Sequence, residues 1–377
     1  MKRVTVAVDS FKGSLSSREV AEAVELGITA VLPDCKVRKV SIADGGEGTV
    51  EAMVENLSGE WVEVEVCDPL MRPIDIRYGV VDDGRTAVME MSAASGLPLL
   101  AVAERNPLKT TTYGTGQMIA DAVKSGVRRL LIGIGGSATN DAGLGAMQAL
   151  GLRCYNSQGR VIKTPITGAM LQDVAHLDLS SLKRKMADIE LTVACDVQNP
   201  LFGPQGAAVI YAPQKGANAE EVKLLDAGLR HISHVWRRCC GVTVENQPCM
   251  GAAGGFGGAF AALLNAKLRS GIDCILDILD FDNLVDEADL VITGEGTIDA
   301  QSLMGKALTG LLRRSNQAGV PVLAIAGQIV DKEAVIRAGV SECLEVSSRS
   351  ISLEEAMQPD MARQNIISVI SNWIKVD

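Results

Sequence analysis

Aromatic side chains make up only 3% of the 377 residues, there are three histidines, and the net charge is −10. Nucleic-acid binding wants stacking rings and basic patches, so a nucleic-acid partner is not expected. The nine cysteines form no C-x-x-C pair, Cys239 and Cys240 are adjacent, and His176, His231 and His234 add no zinc spacing. The thiols read as buried and reduced, as in a cytoplasmic protein. Long apolar runs are also missing. The N-terminal MKRVTVAVDSFKG is too short in apolar residues for a signal peptide, and no segment approaches the roughly 20 residues of a membrane span. A soluble protein without a membrane partner is expected, with homo-oligomerisation left open.

Apolar content is ample at 47%, and the length suggests two domains rather than one core. The stretch Leu130 to Gly145, LLIGIGGSATNDAGLG, reads as strand, tight loop and helix. Glycines let backbone approach a ligand, and the N–H groups at the start of a following helix suit a phosphate. A Walker A loop is absent: Gly305-Lys306 is followed by Ala307, with Ala300 where the first glycine belongs. Gly133, Gly135 and Ala138 fit G-x-G-x-x-A, but the acid that a dinucleotide ribose wants about 20 residues later is replaced by Gly151, Leu152 and Arg153. A nicotinamide-dependent hydroxy-acid oxidoreductase is therefore a weaker alternative.

In chain order, VTVAV, a helical SSREVAEAVELGITAVL, KVRKVSIA and the helix after DGGEGT give β-α-β-α. The C-terminal part repeats the rhythm with DLVITG, VPVLAIAG and CLEVS separated by helices. Neither piece covers its own sheet. Together they make a five-stranded parallel sheet, which predicts a discontinuous domain, residues 1–59 and 284–377, with 60–283 inserted. The insert opens with WVEVEV, IDIRYGVV and TAVMEM, alternating runs broken by turn sequences that predict antiparallel hairpins, and continues as mixed α/β.

Residues just past parallel strands share one edge, where open α/β sheets bind ligands. A flavodoxin-type strand order would put Asp9 beside Gly294 and Glu295, with Lys12 and Ser14 nearby. The insert would bring Gly135 to Asp141 and Asp196 to its own strand ends. Glycines, carboxylates and lysines suit phosphoryl transfer, which needs positioned phosphates, oxygen ligands for a metal, cations and a carboxylate near the attacking hydroxyl. Asp44 and Glu47 could equally cap a helix, and Lys109 or Lys215 could equally be solvated lysines. Asp196 reads as a buried carboxylate that needs a partner or a task.

Eight ordered blocks carry a resemblance: DSFKGS from Asp9, ADGGEGT from Ala43, NPLKTTT from Asn106 with GTG at Gly114, GIGGSATND from Gly133, ACDVQNPL from Ala194, PQKGA from Pro213, GAAGG from Gly251, and TGEGTIDAQSLMGK from Thr293. Nearly end to end, the chain resembles the type 1 bacterial glycerate kinases. The resemblance implies ATP- and Mg2+-dependent phosphorylation of D-glycerate to 2-phosphoglycerate in glyoxylate or sugar-acid breakdown, with the 3-kinase as alternative. It also implies a flavodoxin-like domain interrupted by a second α/β domain, with the active site in the cleft between them. On this reading Gly135, Gly136, Ser137, Thr139, Asn140 and Lys306 bind phosphate or nucleotide, and Lys12 assists catalysis. Asp44 and Glu295 serve a metal, with Asp9 able to exchange roles with Asp44. Asp9, Ser14, Arg72 and Lys109 bind substrate, and Asp196 or Asp141 is the base. Departures from the family pattern are Thr297 in place of an expected arginine, a single glycine at Gly168, and Ala307-Leu308 after Lys306.

Overall fold

A computed structural model describes residues 1–42, 49–244, 247–299, 302, 307–347 and 352–376. Asp44 and Lys306 lie outside the described residues. The strands in chain order are β1 (Arg3–Val8), β2 (Lys36–Ser41), β3 (Glu60–Cys67), β4 (Pro73–Val81), β5 (Thr86–Glu90), β6 (Arg129–Gly133) and β7 (Arg153–Tyr155). They continue with β8 (His176–Asp178), β9 (Glu190–Ala194), β10 (Lys267–Arg269), β11 (Leu290–Ile298), β12 (Val322–Ile329) and β13 (Glu342–Glu345). Two compact units contain them: Met1–Asp44 with Ile272–Asp377, and Gly45–Gly271.

The first unit is a five-stranded parallel sheet in the order β13-β12-β11-β1-β2. Counted within the unit, that is the 2-1-3-4-5 order of flavodoxin, as expected. Its central strands are near-continuous apolar runs because helices cover both faces. The first helix, Ser17–Thr29, starts with a capping box in which Ser16 and Glu19 satisfy each other's backbone N–H groups. Its Gly27 lies so close to the final helix, Pro359–Val376, that an added Cβ would sit 2.9 Å from Ile370. Val24, Ile28, Ile292, Ile325, Ile366 and Ile370 close this core.

The second unit carries a six-stranded sheet, β10-β9-β6-β5-β4-β3, and a small β7-β8 ribbon. Strands β10, β9, β6 and β5 run parallel, and β4 and β3 pair antiparallel, as the alternating runs predict. Among the aromatics, Trp236, Tyr78, Phe256 and Phe260 are fully buried, the two phenylalanine rings stacked at 4.1 Å.

The units divide at 44/45 and 271/272, where the sequence reading drew 59/60 and 283/284. Side-chain fit accounts for both differences. Helix Thr49–Asn56 packs on β4, where Gly79 leaves room that a Cβ would fill 2.4 Å from Val54, and Val50 N–H donates to Glu90. Helices Gly271–Ile278 and Phe281–Asp286 are tied to helix Ala307–Gln317 by Arg314, whose largely buried guanidinium meets Asp273, Asp277 and Asp282.

Candidate functional site

In the second unit, the glycine stretch does not run into a helix. Strand β6 ends at Gly133, and the next helix, Leu144–Ala149, begins only at Leu144. Gly135 and Gly136 are exposed, and the chain then turns inward beside residues 95–97, with Leu97 N–H donating to Gly136 O and Ala138 N–H to Ser95 O, both at 2.9 Å. The helix N-terminus is not open to a phosphate, because the chain supplies its own anion there. Asp141, with no exposed surface, accepts from the N–H groups of Gly143 at 3.1 Å and Gly145 at 3.2 Å. It also accepts from Thr112 N–H and Thr112 Oγ1, both at 2.8 Å, and from Thr111 Oγ1 at 3.4 Å. Burial pushes this carboxyl up, and its donors oppose the shift. Asp141, expected as a candidate base, is thus fully buried and accepts five hydrogen bonds from its own chain.

Two left-handed backbone segments lock against each other beside it. Ala142 and Gly143 have φ of 54° and 67°, and Ala253, Gly254 and Gly255 have 50°, 67° and 92°. Ala142 N–H donates to Gly254 O at 3.0 Å, and a Cβ on Gly254 would meet Thr139 O at 2.3 Å. Below the exposed glycines lies Lys215, only 2% exposed, its Nζ donating to Ser137 Oγ at 2.8 Å and Thr139 O at 2.7 Å. Burial lowers its ammonium to about 7, against the pull of the Asp141 charge. Thr139 Oγ1 and both polar atoms of the Asn140 amide are buried without a partner among the described residues. Such atoms are rare in folded proteins and mark a site where something else completes the bonding.

Asp196 sits two residues past β9, and Gly135 two residues past its neighbour β6, in the register Gly133↔Ala194. The two therefore share one sheet edge. Asp196 is exposed rather than buried, and its Oδ1 accepts from Gly271 N–H at 3.0 Å. The sequence argument from burial is corrected: Asp196 is exposed at a strand end.

In the first unit, a cavity of about 910 Å³ opens at the carboxyl ends of the strands. Asp9, Lys12, Ser14, Glu295 and Thr297 all line it. Asp9 N–H donates to Gly294 O at 2.9 Å across the β1–β11 pair, which is the switch point of this strand order. Glu295 and Thr297 are not past the strand end, as the sequence reading had it; β11 runs on to Ile298, paired with β12 through Thr297↔Gln328. Lys12 is the one lysine or arginine among the described lining residues.

Among the described residues no group of three or more His, Cys, Asp and Glu is placed to hold a metal. Magnesium asks for less: one or two carboxylates, with water and phosphate oxygens completing the octahedron. Asp9 and Glu295 are two carboxylates that line the same cavity. Arg72, half-exposed, pairs with Asp68 at 2.5 Å and Glu104 at 2.7 Å, and would have to exchange these partners to meet a substrate carboxylate. Lys109 is exposed on the Asn106 turn.

Sequence reasoning undervalued Lys215, weighing it as a solvated lysine, although the PQKGA block contained the signal: Gly216, in the left-handed region at φ 97°, turns the chain so that Lys215 enters the core. It also missed Asn365, a cavity residue with no local pattern to betray it. All nine cysteines are free thiols, and no described helix is long and apolar enough to cross a membrane.

A sequence profile described as the glycerate kinase family matches residues 4–376. The glycerate kinase of Bacillus subtilis strain 168 is 44% identical over 357 residues, 94% of this chain and 93% of that protein. The glycerate 2-kinase of Escherichia coli strain K12 is 41% identical over 357 residues, again 94% and 93%. A crystal structure of a Salmonella typhimurium LT2 protein assigned as glycerate kinase 2 superposes with a TM-score of 0.90 at 41% identity, covering 100% of this chain and 98% of that one. The chain belongs to the glycerate kinase family and is an enzyme of the kinase class.

Proposed function

We propose that this protein transfers the γ-phosphoryl group of ATP to the 2-hydroxyl of D-glycerate, giving 2-phosphoglycerate, in cytoplasmic glyoxylate or sugar-acid breakdown. The observation that carries the reading is the set Asp9, Lys12 and Glu295 around one cavity at the switch point of a flavodoxin-order sheet. Phosphoryl transfer needs little more from a protein than oxygen ligands, a cation and exact positioning. The choice of the 2-hydroxyl rests on the similarity to the E. coli glycerate 2-kinase.

Asp196 is the proposed general base, holding the proton of the attacking hydroxyl. Gly135, Gly136 and the segment Ser137 to Asn140, braced by Lys215, offer backbone and side-chain donors to phosphoryl oxygens, with Lys12 and Lys306 as cations. Glu295, with Asp9 or Asp44, would hold magnesium, which when bound neutralises charge on the phosphate oxygens. Lys109 is the proposed partner of the glycerate carboxylate, and Ser14 a donor to bound ligand.

Phosphorus NMR of the protein with magnesium, ATP and D-glycerate, beside a reaction with L-glycerate, tests the proposal. A new phosphomonoester coincident with added 2-phosphoglycerate is expected, with none from the L-isomer. Coincidence with 3-phosphoglycerate would move the reacting hydroxyl and keep the kinase; no phosphomonoester from folded protein would overturn the reading. Asp196→Asn should lower turnover by roughly 10² to 10⁴, the range for a lost general base, with nucleotide affinity near normal.

A further inference from the structure

The two reactants of such a kinase differ in what they can bury. Every carbon of glycerate carries oxygen, so the acid has no apolar surface to remove from water. ATP has a purine, a flat ring with two faces that gain from an apolar wall. The first unit's cavity, about 910 Å³, lies near the top of the roughly 300–1,000 Å³ typical of pockets for drug-sized ligands, far more than a three-carbon acid fills. Phe11, Ala356, Met357 and Ala362 supply apolar lining. Gly13 lies against Met357: a Cβ there would meet the methionine methyl at 2.9 Å, so the glycine keeps a flexible side chain on that wall.

Two polar atoms of the same lining are unsatisfied. Ser14 Oγ and Asn365 Nδ2 are buried without a hydrogen-bond partner among the described residues. Leaving a buried donor unmade costs more than a made bond gains, so both atoms lack a partner that a ligand can supply. An amide N–H is what a purine ring nitrogen accepts from, and a hydroxyl suits a ribose or phosphate oxygen.

From the cavity's size, its apolar wall and these two atoms, we infer that the cavity of the first unit seats the adenosine end of the nucleotide, with Asn365 donating to the base and Ser14 to ribose or phosphate oxygen. The inference rests on the ATP-dependent kinase reading and assigns one of its substrates to a place.

The test uses full-length protein and three measurements: calorimetric affinity for ATP with magnesium, and steady-state KM for ATP and for D-glycerate. Asn365→Leu, close in shape and lacking the donor, should raise the ATP Kd and KM about tenfold, the loss of one hydrogen bond, and leave the glycerate KM unchanged. Met357→Trp, which fills the cavity from a half-buried position, should do the same through bulk, so a folding defect in one variant does not decide the outcome. Urea midpoints confirm that each variant is folded. A raised glycerate KM with normal ATP affinity would assign the cavity to the acid and overturn the inference while the kinase stands. Normal values for both substrates in both variants would overturn it too. Wild-type protein that neither binds ATP nor phosphorylates glycerate would bring down the kinase reading itself, a result the variants cannot mimic.

Discussion

The glycine loop of the second unit and the cavity of the first are built on opposite principles. The loop is closed on itself: Asp141 and Lys215 are buried charges, and each bond they make is to the chain. The cavity is open: half-buried Asp9 and Glu295 and exposed Lys12 line a space that protein does not fill. Buried charge is expensive unless every partner is in place, so it is found where a shape must be held. Exposed charge costs little and is easily redirected to a ligand. The buried part of the first region is therefore a frame, which holds up the exposed Gly135 and Gly136 and leaves Thr139 Oγ1 and the Asn140 amide unpaired among the described residues, and the second is a receptacle, although both came from strand ends rich in glycine and acid.

If that contrast is right, stability and activity should separate between the two. Replacing Asp141 with Ala strands five buried donors and should destabilise the protein by about 3–5 kcal/mol in urea unfolding, the cost of breaking a buried charge network. Glu295→Gln in the cavity should move the urea midpoint little and lower turnover at saturating substrates severely. A pair of variants with similar stability losses would erase the distinction between frame and receptacle. Gly254→Ala should rank next. Its left-handed backbone alone costs about 1–3 kcal/mol for a side chain, and the methyl would also press on Thr139 O. Unchanged stability there would mean that the two left-handed segments are not locked.

Lys215 gives the frame a pH signature. In the unfolded chain its ammonium titrates near the ordinary 10.5, and in the folded protein at about 7, because burial disfavours the charge. Between those values the unfolded state binds more protons, so stability rises with pH across that window, by at most about 1.4 kcal/mol per pH unit for one proton. Below about 7 both states are protonated and the burial cost is present in full. Other groups titrate in the same range, so the quantity to measure is wild-type stability minus that of Lys215→Met from pH 6.5 to 10. A flat difference would show that Lys215 keeps its ordinary proton affinity in the folded protein and is not enclosed.

How legible these regions were in the sequence follows the same divide. The parallel sheet and its strand order could be read because apolar runs and their spacing are local signals, and so could the meeting of Asp9 with Gly294 and Glu295, which follows from strand order alone. The continuation of β11 through Glu295 to Ile298 was hidden, because its glycines and polar residues look like a loop until β12 pairs with them. Burial in the frame was misread in both directions. Asp196 follows an apolar strand yet is exposed, and Lys215 is a lysine yet is enclosed. Neither follows from the apolar pattern around it. Asp196 stands at a strand edge, and Lys215 reaches Ser137 and Thr139, more than 70 residues away. Helix Thr49–Asn56 went to the second unit for a similar reason, a space over Gly79 that only the folded sheet reveals.

The smallest effect expected is also the sharpest check on exposed charge as a substrate partner. Arg72 and Lys109 look alike in sequence, each a cation following a turn that begins Asp-Pro-Leu or Asn-Pro-Leu. In the fold they differ. Arg72 is held by two carboxylates of its own chain, whose hydrogen bonds, Asp68 first, raise its already high affinity for the proton, and it would have to leave both to meet glycerate. Lys109 is exposed on its turn. Arg72→Ala should therefore leave the glycerate KM and kcat as they are, whereas Lys109→Ala should raise KM more than it lowers kcat, as expected for a contact made equally in the ground and transition states. The reverse ranking would mean that Arg72 exchanges its internal partners for the substrate, and that an ion pair seen in the free protein is a resting state of the receptacle rather than part of the frame.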